Sequence, residues 1–291
     1  MDYSTKMTNI FVLHLTSKCP YNCPICFANE EYGNITEEFL EGIICFAKKL
    51  KVSYFNFSGG EPLVHPQLEK LINITVNNGI AVNLVTSGYG LSEVKLSSII
   101  NAGISRIFVS LNGSTELINS VSREGYKTSA KSLELISRIA PEKSAINFCV
   151  GSENIGDFIS VSNMARKLNI PMICVLLRKK NKNGVHSAKI SNALLLKLAL
   201  DIKREADKGL IVAIDPCFTE LSTLLENTNA VTLPREWQGC RPGINRITFY
   251  PNKTFSMCPH LSNKYPCNQL VEFISKTTIN SIVHKTRLCL V

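Results

Sequence analysis

The chain has 291 residues, 45% hydrophobic and 19% charged, with a formal net charge of +9 and 11 cysteines, enough to bury a full-sized core and add a smaller appendage. No apolar run approaches the roughly 20 residues of a membrane span, and the N-terminal MDYSTKMTNI lacks the charged-then-apolar layout of a signal peptide, so a cytoplasmic protein without a membrane partner is expected. The lysines are spread along the chain and no nucleic-acid motif is visible, which argues against a nucleic-acid partner and for a basic surface or an anionic ligand.

Short β-branched or aromatic runs alternate with longer amphipathic stretches, the signature of βα units around a parallel sheet. The strands are expected at Ile10 to Thr16, Tyr54 to Ser58, Ala81 to Thr86, Arg106 to Leu111, Ala145 to Val150 and Met172 to Leu177. Helices are expected near Thr36 to Leu50, Pro66 to Asn77, Ser92 to Asn101, Lys127 to Ile139, Asp157 to Leu168 and Lys189 to Lys208. The fold class is therefore α/β, a partial (β/α)6 barrel over residues 1–209. After Gly209 comes one more strand, Ile211 to Ile214, then a turn-rich stretch with Pro234, Gly239, Pro242, Gly243 and Pro251. A small cysteine-rich domain is expected over 210–291.

Eleven cysteines in a reducing compartment should be metal ligands or buried small side chains. Cys19, Cys23 and Cys26 stand as C-x3-C-x2-C directly after the first strand, where the active-site loops of a barrel emerge. That spacing can wrap three corners of a cubane cluster and leave the fourth iron without a protein ligand, open to a substrate. A structural zinc is the alternative, but it usually pairs two C-x2-C elements and closes all four positions. Ser58-Gly59-Gly60-Glu61-Pro62 ends the second strand, where glycines let backbone approach a ligand. Thr86 and Ser87 end the third strand, and Ser110 and Asn112 follow the fourth. Asn147, Cys149 and Arg178, near the ends of the fifth and sixth, are candidates for a substrate side of the cavity; Cys45 and Cys174, among apolar neighbours, are expected in the core.

The C-x3-C-x2-C loop after the first strand resembles the signature of the radical S-adenosylmethionine (SAM) superfamily, with Ile25 where an aromatic commonly precedes the last cysteine. The resemblance implies a [4Fe-4S] cluster on Cys19, Cys23 and Cys26. It implies SAM held at its amino group by Gly59, Gly60 and Glu61, with Thr86, Ser87, Ser110 and Asn112 in reach and Arg123 on the carboxylate. It further implies reductive cleavage of SAM to a 5′-deoxyadenosyl radical that abstracts hydrogen from the substrate, with a reductase, flavodoxin or ferredoxin as electron donor. Cys149 is then a candidate hydrogen-atom donor.

Cys240 and Cys258 lie on what reads as the two arms of a hairpin, and this region resembles the SPASM extension, or its shorter twitch form, which binds auxiliary iron-sulfur clusters. The resemblance implies one auxiliary [4Fe-4S] cluster on Cys240 and Cys258, with Cys217 and Cys267 ahead of Cys289 for the remaining places, and zinc as the alternative metal. The relatives' hairpin turn commonly reads Pro-Asp-Gly; Pro251-Asn252-Lys253 here implies a different turn. By the same resemblance the substrate is a ribosomally made peptide, modified by a thioether or carbon-carbon crosslink or by epimerisation. The competing readings are a dehydrogenase or rearrangement enzyme acting on a small alcohol or sugar-like metabolite, and a non-catalytic metal-binding partner protein.

Overall fold

Val, Ile, Leu and Phe concentrate in runs of four to seven residues that form one sheet in this computed structural model, which describes residues 10–28, 33–181, 189–227, 246–261 and 263–270. The strands are β1 (Ile10–Thr16), β2 (Tyr54–Gly59), β3 (Ala81–Thr86), β4 (Arg106–Ser110), β5 (Ser144–Val150), β6 (Met172–Leu177), β7 (Ile211–Ile214), β8 (Arg246–Phe249), β9 (Thr254–Ser256) and β10 (Tyr265–Pro266). Between them run α1 (Glu37–Lys49), α2 (Leu68–Asn77), α3 (Glu93–Asn101), α4 (Glu116–Ser120), α5 (Tyr126–Ile139), α6 (Phe158–Lys167), α7 (Asn192–Asp207) and α8 (Thr219–Asn227). Helix starts follow side-chain chemistry: the hydroxyls of Thr36, Ser92 and Ser191 accept from the backbone N–H of Phe39, Lys95 and Leu194.

The strand order is β10-β9-β8-β1-β2-β3-β4-β5-β6-β7. The strands from β8 through β7 in that order are parallel, and β9 and β10 continue antiparallel beyond β8. The six expected barrel strands thus stand at the centre of a wider sheet. Ile211–Ile214 extends the β6 edge, and β8 extends the opposite edge by pairing in register with β1, Ile10 against Arg246 and Leu13 against Phe249. Two helices, α4 and α8, were not foreseen.

Alternation along each strand divides the sheet into two faces. Phe11, Leu13, Phe55, Phe57, Val82, Leu84, Ile107 and Val109 are buried, joined in one core with Leu40, Ile43, Leu71, Ile72, Leu96 and Ile99 of the helices. Burying one such side chain contributes about 1.5–3 kcal/mol. The alternate residues, among them Val12, Asn56, Asn83, Val85 and Phe108, face a cavity of about 780 Å³ on the concave side. No helix among the described residues is long and apolar enough to cross a membrane.

Candidate active site

The register between β1 and β2 slips between His14 and Thr16, an irregularity of the kind that re-aims chain beside a site. Past it, Gly60 N–H donates to the Thr16 carbonyl (2.7 Å) and Glu61 N–H to the Lys18 carbonyl (2.8 Å). A Cβ on Gly59 would collide with Thr16 O, and one on Gly60 with Lys18 O. The glycines therefore admit the backbone of the cysteine loop itself, closing Cys19 against the end of β2.

A second brace comes from a hundred residues away. Tyr21 Oη donates to Thr128 Oγ1 (2.9 Å), Asn22 N–H to Glu124 Oε2 (3.1 Å) and Ile25 N–H to the Ser122 carbonyl (3.3 Å). Gly125 (φ +78) lies under the Tyr21 ring, where a Cβ would strike the phenol. Cys19, Cys23 and Cys26 all line the cavity, and Cys26 N–H donates to the Cys23 carbonyl (3.0 Å). Burial pushes the Cys19 thiol above its ordinary pKa, and the charges of Glu61, Cys23 and Cys26 add to the shift. Crowded thiols of this kind suit a cation that neutralises them. Among the described residues no three His, Cys, Asp or Glu side chains converge on a single metal ion; cubane ligands bind separate irons and need no such convergence.

Glu61 is buried, and its carboxylate is spent inside the protein. Oε1 accepts from Leu63 N–H (3.0 Å) and Thr86 Oγ1 (2.5 Å); Oε2 accepts from Ser87 N–H (2.8 Å) and the Ser87 hydroxyl. The Thr86 and Ser87 hydroxyls line the cavity but point their protons at Glu61. Ser129 and Ser132 of α5 donate to the Ser87 and Gly88 carbonyls (2.9 and 3.0 Å). Glu61 thus fastens β2 to β3 beneath the cysteine loop.

Asn112 is similarly committed. Its Nδ2 donates to Ser122 Oγ (3.0 Å), its Oδ1 accepts from Cys149 N–H (3.0 Å), and its carbonyl accepts from Asn154 (2.9 Å). Asn119 and the Arg123 backbone exchange two hydrogen bonds of 2.8 Å. The Arg123 side chain is thereby delivered to the cavity wall with a buried Nε that has no hydrogen-bond partner. A carboxylate would satisfy it. Ser110 lies on the same wall.

Asn147, Cys149 and Arg178 line the far side. Burial pushes the Cys149 thiol up to about 12, so it stays protonated. Two expectations are corrected. Cys45 is exposed, because the buried face of α1 runs through Leu40, Ile43, Ile44 and Ala47. Cys174 lines the cavity, because its neighbours Ile173 and Val175 take the core face of β6.

Sequence patterns gave no signal for the polar group beside them. Lys179 and Asp215, at the ends of β6 and β7, form a buried ion pair (3.2 Å). Burial works against both charges, but Asp215 holds the Lys179 ammonium above its ordinary pKa, and Lys179 and Arg246 hold the Asp215 carboxyl below. Cys217 and Cys258 are buried, and both act on Lys179, Cys217 by a hydrogen bond. Cys267 follows β10 and donates its N–H to the Lys253 carbonyl (3.0 Å). Cys240 and Cys289 lie outside the described residues. His260 and Phe27 are neighbours (ring centroids 4.1 Å), and the buried His14 packs edge-on against Tyr250 at 4.9 Å. The hairpin turn departs from expectation: Lys253 adopts φ 59, the left-handed conformation a glycine would take.

Comparison with known proteins identifies the frame. SuiB of Streptococcus suis, in a crystal structure bound to precursor peptide SuiA, has a TM-score of 0.73 at 15% identity over 96% of this chain and 66% of that one. SuiB bound to S-adenosylmethionine gives 0.74 at 16% identity, covering 96% and 67%. Native anSMEcpe with bound AdoMet and Cp18Cys peptide gives 0.65 at 16% identity, covering 88% and 74%. The chain spans about two thirds of SuiB's length, and at these identities the likeness is one of fold. The family model described as the radical SAM superfamily matches residues 13–165, more than half of the chain, taking in the end of β1, the cysteine loop and the whole of β2 through β5, so the chain belongs to the radical SAM superfamily.

Proposed function

We propose that this radical SAM enzyme modifies a ribosomally made peptide by a thioether or carbon-carbon crosslink or by epimerisation. Membership of the family implies a [4Fe-4S] cluster and SAM; when bound, the pair supplies hydrogen-atom abstraction from an unactivated C–H bond. In this reading Cys19, Cys23 and Cys26 hold the cluster. Gly59 and Gly60 set the loop against β1, Glu61 positions Thr86 and Ser87, and Arg123 binds the SAM carboxylate beside Ser110 and Asn112. Cys149, a protonated thiol lining the cavity, returns a hydrogen atom to substrate in this reading.

The observation that carries the peptide reading is the cavity. It is about 780 Å³ and runs from the three thiols along the inner face of the sheet to Ile10, Tyr54, Arg106 and Met172 near the strand beginnings. Ligand pockets are typically 300–1,000 Å³, and a cavity at the upper end of that range leaves room for a substrate beside a cofactor at the mouth. SuiB and anSMEcpe, which share the fold, each have a structure with bound peptide. Residues 1–209 form the radical SAM unit in this reading. Residues 210–291 form a twitch-like unit whose Cys217 and Cys258, with Cys240 and Cys267, hold one auxiliary [4Fe-4S] cluster. Electrons come from a flavodoxin, a ferredoxin or a dedicated reductase.

The test is anaerobic reconstitution with iron and sulfide, iron counting, and assay of 5′-deoxyadenosine from SAM plus reductant, with a Cys19→Ala, Cys23→Ala, Cys26→Ala variant alongside. About eight irons with product support two clusters and about four remove the auxiliary one. Product formed by the triple variant would overturn the assignment of its cysteines. Product whose yield rises with a small alcohol, and not with any of a panel of short peptides, would overturn the peptide reading.

A further inference from the structure

Arg106 opens β4, at the end of the barrel opposite the cysteines. Its strand partner is Asn83, whose partner is Asn56, so the three residues form one row across β2, β3 and β4. All three line the cavity. Asn83 Nδ2 donates to Asn56 Oδ1 (3.1 Å), which spends the Asn56 acceptor and leaves its amide nitrogen as the remaining pole. Arg106 Nη1 is buried and has no hydrogen-bond partner. Leaving a buried charged donor unpaired is costly. The residues at this end of a barrel ordinarily serve stability alone, and an unpaired buried cation in the cavity wall does not.

The wider charge pattern agrees. The cavity wall carries Arg106, Arg123, Arg178, Lys179 and Arg246 against one carboxylate, Asp215. Arg178 is engaged by Glu153 and Lys179 by Asp215, and Arg123 is taken by the SAM carboxylate in the function proposed above. The Arg106 guanidinium serves none of these purposes.

We propose that Arg106, with Asn83 beside it and Asn56 next along the row, is a carboxylate-binding subsite that takes an acidic side chain of the substrate. The inference rests on the peptide reading for the nature of that substrate, but the subsite is a property of the chain alone. A guanidinium fork binds both oxygens of a carboxylate, and the neighbouring amide adds a donor. Arg106 and Ser110 are four residues apart on β4, about 13 Å at the strand rise. An extended peptide anchored at Arg106 therefore brings to the mouth a residue within about four positions of its Asp or Glu.

The test uses glutarate as probe on the full, reconstituted chain, reading the thermal midpoint against concentration, with glutaramide as the neutral control and inorganic phosphate as the competing anion. Glutarate should raise the midpoint where glutaramide does not. Arg106→Gln should weaken the apparent affinity at least tenfold and Arg106→Lys less, because lysine keeps the charge and loses the fork. Arg123→Gln should keep the response. Should Arg106→Gln fail to fold, seen as lost iron and a collapsed midpoint, Arg106→Lys decides: unchanged glutarate affinity in it overturns the proposal. So does a glutarate response that survives Arg106→Gln, no response in the wild type, or a stronger response to phosphate than to glutarate. Formation of 5′-deoxyadenosine by the wild type is scored on the same samples; its absence counts against the proposed function and leaves the glutarate result to stand by itself.

Discussion

Glu61→Gln separates two roles that the carboxylate could play. Glutamine keeps the shape and one oxygen, so the bonds from Leu63 N–H and Thr86 Oγ1 can survive at Oε1. At the other position an amide NH2 meets Ser87 N–H, donor against donor. The Ser87 hydroxyl can turn and accept; the buried Ser87 N–H cannot. Losing one charge-assisted hydrogen bond costs about 1.5–3 kcal/mol and stranding its buried donor about 1–3, and with partial relaxation the net cost should be about 2–4 kcal/mol. At about 2–4 °C per kcal/mol for a chain of this size, the midpoint should fall by roughly 4–16 °C. The assay is urea and thermal unfolding of the cofactor-free protein, because the bonds exist without any ligand. Unfolding free energy within about 0.5 kcal/mol of wild type would refute the reasoning and return the carboxylate to direct contact with SAM.

Lys253→Gly should stabilise the hairpin by about 0.5 kcal/mol in a urea midpoint comparison: it relieves about 1 kcal/mol of left-handed strain at an exposed lysine and gives back part of that in unfolded-chain entropy; a loss of more than 1 kcal/mol would show that the side chain matters. Burial, helped by Lys264, lowers the pKa of His14 to about 4, from 6.5. A histidine held neutral contributes stability that is present above pH 6.5 and lost as pH falls through about 4. Between pH 7 and pH 5, His14 should therefore account for a loss of about 2 kcal/mol in unfolding free energy, and His14→Phe should remove that part of the slope; an unchanged slope would place the titration elsewhere.

Much of the barrel was legible because each strand carries its own signal. Ile10–Thr16 and Met172–Leu177 are apolar runs that need no partner to be recognised, and Thr36, Ser92 and Ser191 mark helix starts by their own hydroxyls. What could not be read was pairing between distant segments. Nothing near Arg246 says that it lies beside Ile10, and nothing near Ser122 says that its carbonyl props Ile25. The five residues of α4 are too few to show a helical period. At the site, residue types announce chemistry and leave their partners unstated: the glycines of the GGEP segment line the cavity, and the pattern does not say that their missing Cβ atoms also make way for Thr16 and Lys18. Cys45 was recoverable, since a helical wheel of α1 sets it off the buried stripe, whereas Cys174 needed the knowledge that the concave side of the sheet is hollow.

The parallel pairing of β8 with β1 has a consequence during synthesis. β1 emerges first, but the strand that covers its outer edge is encoded more than 200 residues later. At about 5–20 residues per second, that edge stays bare for roughly 10–50 s after β1 leaves the ribosome. Throughout that interval the nascent chain offers a row of unpaired backbone groups to any neighbour. A ribosome stalled before residue 246 would hold a sheet with an adhesive border, and chaperone capture of the nascent chain should concentrate in that window.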